Sequence, residues 1–422
     1  MKLKGYEIKE KIYESPGVSV FRAVREKDSR PVVVKWVDDT DIRAHKVLQL
    51  KNEYKVPERL QSDRIIEIYS FEQNDEGFAL VTEDFGADSL RNILASGLRF
   101  SLETFLRISV RLSEALTEIH HNNIIHKDIN PGNIVINTDT WETKVIDFGI
   151  STFLSREQQE TVSPEKLEGT LDYISPEQTG RMNRSVDYRT DFYSLGATFY
   201  EMLTDTKPFD SESALGYIHC HIAQSPAPVC NINPGIPGIV SSIIIKLMAK
   251  NPEDRYQSAF SLKSDLETCL KQLEQAGRIE EFEIGQADIS GRFLIPQKLY
   301  GRNQEIKTLT DAFDTMKTNG RTFIMTIAGY SGIGKSVLVH EIHKPVVQKR
   351  GYFISGKFDQ MQRNIPYSGI IQAFRDLMSQ VLTESAESLE NWKKELLDLM
   401  GNNARVIADA VPELEIITGR QP

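Results

Sequence analysis

Apolar and polar residues alternate over residues 6–37, with breaks at Ser15-Pro16-Gly17 and at residues 28–31. A period of two interrupted by turn residues predicts a small antiparallel sheet. Residues 77–82 predict a further strand, and residues 46–60 carry helical spacing in which Pro57 predicts a kink or a new turn. Over residues 102–121, Leu106, Val110, Leu112, Leu116 and Ile119 recur at three- and four-residue intervals, the pattern of a buried helix. Two short apolar runs, residues 134–136 and 144–146, flank residues 137–141 and predict a hairpin. The helical pattern fades after Leu273, and residues 275–298 mix Gly, charge and short apolar pieces as a linker does. Beyond it come a helix through Met316, a strand over residues 322–328, a helix after Ser336 and a second strand over residues 351–355, the order of an α/β unit.

Composition narrows this little. The 422 residues suffice for two or three domains, and 40% apolar with 26% charged residues is ordinary for globular protein. The reading divides the chain into residues 1–272, a linker over 273–298, and residues 299–422. No apolar run is long enough to span a bilayer, and the first residues lack the apolar core of a signal peptide. Cys220, Cys230 and Cys269 form no C-x-x-C pair and suggest reduced thiols, hence a cytoplasmic setting. A net charge of -10 argues against nucleic acid as a partner. His219-Cys220-His221 is not expected to hold metal, because adjacent residues on a helix point apart.

The chemistry concentrates in residues 126–150, HKDINPGNIVINTDTWETKVIDFGI. The predicted hairpin between Asn133 and Asp147 brings those two oxygen-bearing side chains to one face, with the Asp128 carboxylate five residues before Asn133. A second group, Gly329-Tyr330-Ser331-Gly332-Ile333-Gly334-Lys335-Ser336, is a G-x-x-x-x-G-K-S loop expected between strand and helix. There the backbone around Gly329, Gly332 and Gly334 binds phosphates, Lys335 reaches the β- and γ-phosphates, and Ser336 holds magnesium.

His126-Lys127-Asp128, Asn133 and Asp147-Phe148-Gly149 resemble the catalytic and magnesium loops of protein kinases, and Val32-Val33-Val34-Lys35 resembles their V-A-I-K strand. The resemblance implies that Asp128 is the catalytic base and that Lys35, paired with Glu53, holds the α- and β-phosphates of ATP. It further implies that Ile12 and Val20 line the ATP site, that Glu83 and Phe85 meet the adenine edge through their backbone, and that Thr82 backs the pocket. His126 packs the loop, Asp191 tethers it, and Arg255 pairs with Glu177 of Ser175-Pro176-Glu177, which closes the activation segment. Thr161 and Ser163 in that segment are candidate phosphosites for which Lys127 is the cation, and Thr170 belongs to the substrate platform near Asp128.

Three departures from the kinase pattern stand out. The G-x-G-x-x-G positions are Tyr13, Ser15 and Val18, with Gly17 off register; Lys127 stands where Arg is usual; and Asn130 stands where a Lys normally neutralises the γ-phosphate. No Arg follows two residues later.

Near its whole length, through residues 126–131, 175–184 and 356–360, the chain resembles the N-terminal part of large bacterial, especially cyanobacterial, signalling kinases. These join a serine/threonine kinase domain to an AAA- or STAND-like ATPase, usually followed by GAF and histidine kinase modules. The implied fold is an α+β two-lobed kinase-like domain followed by an incomplete α/β P-loop NTPase domain. Val406-Ile407-Ala408-Asp409 comes nearest to a Walker B strand but reads as helix, so the second unit is expected to stop short of one. The implied activity is transfer of the γ-phosphate of ATP, with Mg2+, to protein Ser and Thr hydroxyls. The alternative is a pseudokinase scaffold regulating a downstream histidine kinase, with the P-loop as the nucleotide switch; the replaced glycines and Asn130 point that way.

Overall fold

The computed structural model describes residues 3–38, 44–60, 62–74, 77–153, 169–180, 185–211, 213–288, 301–320, 322–330, 333–342, 345–346, 351–356, 367–382 and 386–419. The alternating N-terminal segment forms β1 (Tyr6–Ser15), β2 (Val18–Arg25) and β3 (Arg30–Asp38), joined by β4 (Ile68–Asn74) and β5 (Gly77–Glu83) in the antiparallel order β1-β2-β3-β5-β4. The strand period decides which residues are buried where. Val32, Val34 and Trp36 pack with Ala23, Ala79 and Val81 on one face. On the other face Val37, Leu80 and Phe78 pack with Leu50 of helix α1 (Ala44–Lys55). Pro57 opens a short 3-10 turn after α1, because it has no N–H to continue the ladder.

The larger lobe is helical. Helix α2 (Leu90–Ala95) is capped by the Ser89 hydroxyl, and α3 (Leu102–His121) by that of Ser101. The predicted apolar stripe of α3 lies in one core with α4 (Arg189–Thr204), α7 (Gly238–Leu247) and α8 (Ala259–Ala276), which follow α5 (Ala214–Ala223) and α6 (Val229–Ile232) in the chain. Short strands position the loops between: β6 (Asp88–Ser89), β7 (Ile124–Ile125), β8 (Ile134–Ile136), β9 (Thr143–Val145) and β10 (Thr152–Phe153). The expected hairpin is β8 against β9, shifted by one residue on its second strand.

Two expectations are corrected. Residues 275–298 are not linker throughout: α8 runs to Ala276, Gly277 turns the chain at φ +67°, and Ile279, Phe282 and Ile284 pack on the large-lobe core. Asp288 accepts from the backbone N–H groups of Gln257 and Ser258 at 2.8 and 3.2 Å, which fastens this segment down. The sparse apolar residues that read as linker are anchors spaced for docking rather than for helix.

The second correction concerns residues 322–328 and 351–355, which form no ladder-paired strand among the described residues. Alternation supplies only the side-chain pattern; a strand also needs a neighbouring edge for its N–H and C=O groups, and Ile324 stands 91% exposed. Helices α9 (Asn303–Asn319) and α10 (Lys335–His340) flank this segment in the chain. Four further helices, Ser368–Val381, Ala386–Met400, Ala404–Ala410 and Glu413–Thr418, share a separate core around Met378, Val381, Met400 and Leu414. Residues 406–409 are helical there, as their surroundings predict.

Candidate functional site

The site forms where the small sheet meets the large lobe. Lys35 on β3 lies 2.6 Å from Glu53 on α1 and 2.9 Å from Asp147, so one ammonium serves two carboxylates. Burial works against the Lys35 charge, but Asp147 and Glu53 outweigh it and hold the ammonium charged well above its ordinary range. Burial also works against the Asp147 carboxylate, and Lys35 more than compensates, so Asp147 stays ionised below its usual range. Glu53 carries the excess: burial and the neighbouring Asp147 charge push it up to about 7.

Asp147 adopts φ +63° and Lys127 φ +69°, a region that residues other than glycine rarely occupy. Hydrogen bonds hold both conformations. The Asp147 carboxylate accepts from Gly149 N at 3.1 Å. Lys127 donates its N–H to Asp191 Oδ1 at 2.8 Å, and its carbonyl accepts from Gln178 Nε2 at 2.8 Å. Asp191 also accepts from His126 N at 3.0 Å, the tether expected of it. The His126 ring packs on Phe148 at 4.8 Å, consistent with a structural histidine.

Around Asp128 every polar atom is engaged by its own loop or by the segment closing over it. Oδ1 accepts from Thr170 N at 2.9 Å and Thr170 Oγ1 at 3.0 Å, and Oδ2 accepts from Asn133 Nδ2 at 2.8 Å. Asn133 thereby spends its amide nitrogen on Asp128. Its carbonyl oxygen, with the Asp147 carboxylate, is the pair that fits an oxygen-seeking cation; magnesium typically takes one or two protein ligands and completes its shell with phosphate and water. Among the described residues no three His, Cys, Asp or Glu side chains converge as a metal site. His221 instead shares a 2.9 Å hydrogen bond with Tyr193 in the core.

The roof of the site differs from a glycine-rich loop. β1 and β2 join through Pro16-Gly17 alone, with Gly17 at φ +81°, the positive φ that a type II turn demands at that place. Lys46 on α1 donates to the Pro16 carbonyl at 2.6 Å and fastens the turn to the helix. Val20 stands in register with Lys35, whereas Ile12 lies at an irregularity of β1 and is 38% exposed. At the hinge, two of the expected backbone groups already have partners: Glu83 N donates to Glu67 O at 3.0 Å, and Phe85 O accepts from Asn137 Nδ2 at 2.7 Å.

Arg255 and Glu177 form a fully buried two-pronged pair at 2.6 and 2.8 Å. Sequence reading missed Asn52, whose amide donates to the carbonyls of Phe148, Gly149 and Ser151 at 3.0, 3.1 and 2.9 Å and so ties α1 to the magnesium loop. The only available signal was its position directly before Glu53. Thr161 and Ser163 lie outside the described residues, as does Gly332. In the second unit Lys335 opens α10 after Gly334 at φ +91°, and its ammonium donates to the carbonyls of Gly329 and Tyr330, each at 2.7 Å. The backbone of Ser336 follows in the same helix.

Residues 6–266 match the protein kinase domain family. The chain belongs to that family. Residues 298–418 match the AAA ATPase domain, so a protein kinase domain is followed by an AAA ATPase domain. Hybrid signal transduction histidine kinase G of Dictyostelium discoideum is 32% identical over 407 residues, covering 75% of this chain and 12% of that protein. Peroxide stress-activated histidine kinase mak3 of Schizosaccharomyces pombe is 25% identical over 422 residues, covering 87% of this chain and 18% of its own length. Serine/threonine-protein kinase PknB of Mycobacterium tuberculosis is 34% identical over 187 residues, 44% of this chain and 29% of that protein. The chain thus spans well under half the length of these relatives. Among the described residues no helix is long and apolar enough to cross a membrane.

Proposed function

We propose that this kinase domain transfers the γ-phosphate of ATP to Ser or Thr hydroxyls of a protein substrate. The carrying observation is that Asp128 is held on both carboxylate oxygens, by Thr170 and Asn133, while the Lys35, Glu53 and Asp147 constellation is formed beside it. Lys35 holds the α- and β-phosphates, and Glu53 and Asp147 hold Lys35. Asp128 orients the substrate hydroxyl and accepts its proton as the oxygen attacks. Magnesium, when bound at Asn133 and Asp147, neutralises charge on the β- and γ-phosphates. The adenine lies against the backbone of residues 83–85, under Val20 and Ile12. Assembly of these groups in one cleft, and kinship with proteins named serine/threonine-protein kinases, disfavour the pseudokinase reading.

Two further parts belong to the same reading. The loop from Gly329 through Gly332 and Gly334 to Lys335 and Ser336 binds a second nucleotide with magnesium, supported by its motif and by the AAA ATPase match. Similarity to two histidine kinases supports a place in a longer signalling polypeptide with a histidine kinase module; that this polypeptide is of the cyanobacterial type with a GAF module, and works in the cytoplasm, is proposed on the sequence resemblance and the cysteine pattern alone. Phosphate on Thr161 or Ser163, paired with Lys127, is the proposed activating signal.

The test is transfer of labelled phosphate from Mg-ATP to protein, which ATP hydrolysis by the second domain cannot mimic. Asp128→Asn should lower it by about 10²–10⁴-fold, the usual worth of a positioned base. Equal labelling of wild type and variant would refute the assignment of Asp128.

A further inference from the structure

Arg91 is an exposed cation with no carboxylate partner among the described residues. It belongs to α2, and the pairing of Asp88 and Ser89 with Ile136 and Val135 fixes the start of that helix against the hairpin that follows the catalytic loop. Its guanidinium donates once, from Nη2 to Asn130 Oδ1 at 3.2 Å, so most of its N–H groups and all of its charge are unspent.

Geometry sets this charge at one side of the acceptor's place. Asn130 Nδ2 donates to Asp128 O at 3.1 Å, so two hydrogen bonds and one amide group put the guanidinium within about 8 Å of the Asp128 carbonyl. An extended substrate covers that span in two or three residues, at roughly 3.3 Å each. Gly132 leaves the surface between them bare, since a Cβ there would lie 2.8 Å from Arg91 Nη2. Arg91 also acts on the turn that follows Thr170. Burial, a bond to Glu201 and the Asp172 charge push the Tyr173 hydroxyl up, and Arg91 works the other way. The carboxylates nearby are engaged. Asp172 pairs with Lys207 at 2.8 Å, Glu201 accepts from Tyr173 Oη, and Asp88 accepts from Ser89 N and Asn92 Nδ2 at the start of α2.

We propose that Arg91 selects substrates carrying a carboxylate two or three residues to one side of the acceptor Ser or Thr. The guanidinium forks onto a Glu or Asp side chain and repels Lys or Arg at the same place. The inference rests on the kinase reading above and names the class of substrate that reading leaves open, an acidic protein segment. Arg91 takes no part in the transfer itself; it decides which segment comes to Asp128.

The test uses the full chain and peptide pools with a central Ser or Thr, one flanking position at a time fixed as Glu, Ala or Lys. At one such position wild type should favour Glu over Lys by about fivefold or more in kcat/KM, chiefly through KM for the peptide. Arg91→Ala should bring that ratio near one, and Arg91→Glu should invert it, a crossing that a merely structural residue would not produce. Arg91→Lys should keep the preference at a smaller ratio, because it lacks the fork, and salt at about 0.5 M should weaken the preference of wild type. Melting temperatures check that each variant folds. A wild type that favours Lys, which would make Glu201 the reader, would overturn the proposal. So would a ratio within twofold of one at every position, a preference unchanged in Arg91→Glu, or labelling of no pool by a chain that labels itself. A wild-type chain without any Asp128-dependent transfer would remove the kinase reading itself, a different failure from transfer indifferent to Arg91.

Discussion

Replacing Glu53 by Gln should make the kinase domain more stable in alkaline buffer and at the same time less active. Lys35 faces Glu53 at 2.6 Å and Asp147 at 2.9 Å, so the cluster carries one net negative charge before any cation arrives. Glu53 bears that excess, held at about 7 when folded against 4.5 for an ordinary Glu. A raised acid binds its proton more tightly in the folded chain than in the unfolded one. Stability is therefore present in full below pH 4.5 and falls as pH rises through about 7. Ionised in both states, such a Glu costs about 3 kcal/mol relative to its neutral form. Gln mimics the neutral form and leaves Lys35 with Asp147. Glu53→Gln should therefore gain about 3 kcal/mol at pH 8, roughly half that at pH 5.5, and almost nothing at pH 4. Urea unfolding without magnesium or nucleotide reads this, followed by fluorescence in a Trp392→Phe background, where Trp36 and Trp141 report on the kinase domain alone. Phosphate transfer by the same variant should fall, because Lys35 loses its partner on α1. A gain independent of pH, or a loss at pH 8, would refute the idea that this site stores excess charge.

Legibility followed the range of the interaction. The valines of β3 and the stripe of α3 were readable because burial repeats with the local period, and the period alone places Val32 and Val34 inward. Asp128, Asn133 and Asp147 were readable because their spacing resembles that of the kinase loops, and the β8–β9 hairpin lies between Asn133 and Asp147. Glu177 and Arg255 lie 78 residues apart, and no local pattern couples them. Only the family resemblance suggested that pair. Asn52 and Arg91 had no such help: each is one polar residue on a helix, and its task appears only when the magnesium loop or Asn130 is brought against it. The outcome at residues 322–328, which pair with no strand among the described residues, has the opposite cause. There the local pattern is intact, but strand formation depends on a partner edge that local sequence does not encode.

Two other substitutions probe the buried pair and the second nucleotide site. Arg255→Ala leaves the Glu177 carboxylate, 2% exposed, with Thr190 Oγ1 as its one remaining side-chain donor among the described residues, and also removes the donors to the carbonyls of Ala249, Arg189 and Lys250. Breaking one side of a buried pair should cost about 3–5 kcal/mol, read as a lower urea midpoint at unchanged slope; a loss under about 1 kcal/mol would mean that water reaches Glu177. The other outcome separates the two nucleotide sites. Lys335 spends its ammonium on the carbonyls of Gly329 and Tyr330, so it already lies on the loop to which the motif assigns phosphate. Calorimetric titration of the full chain with Mg-ATP should give two equivalents. Lys335→Ala should remove one, Lys35→Ala the other, and the double variant should bind none. Two equivalents retained by Lys335→Ala would show that this ammonium is not needed for binding and that the loop's amides suffice. One equivalent in wild type, abolished by Lys35→Ala alone, would leave the AAA ATPase domain without a working nucleotide site in this chain.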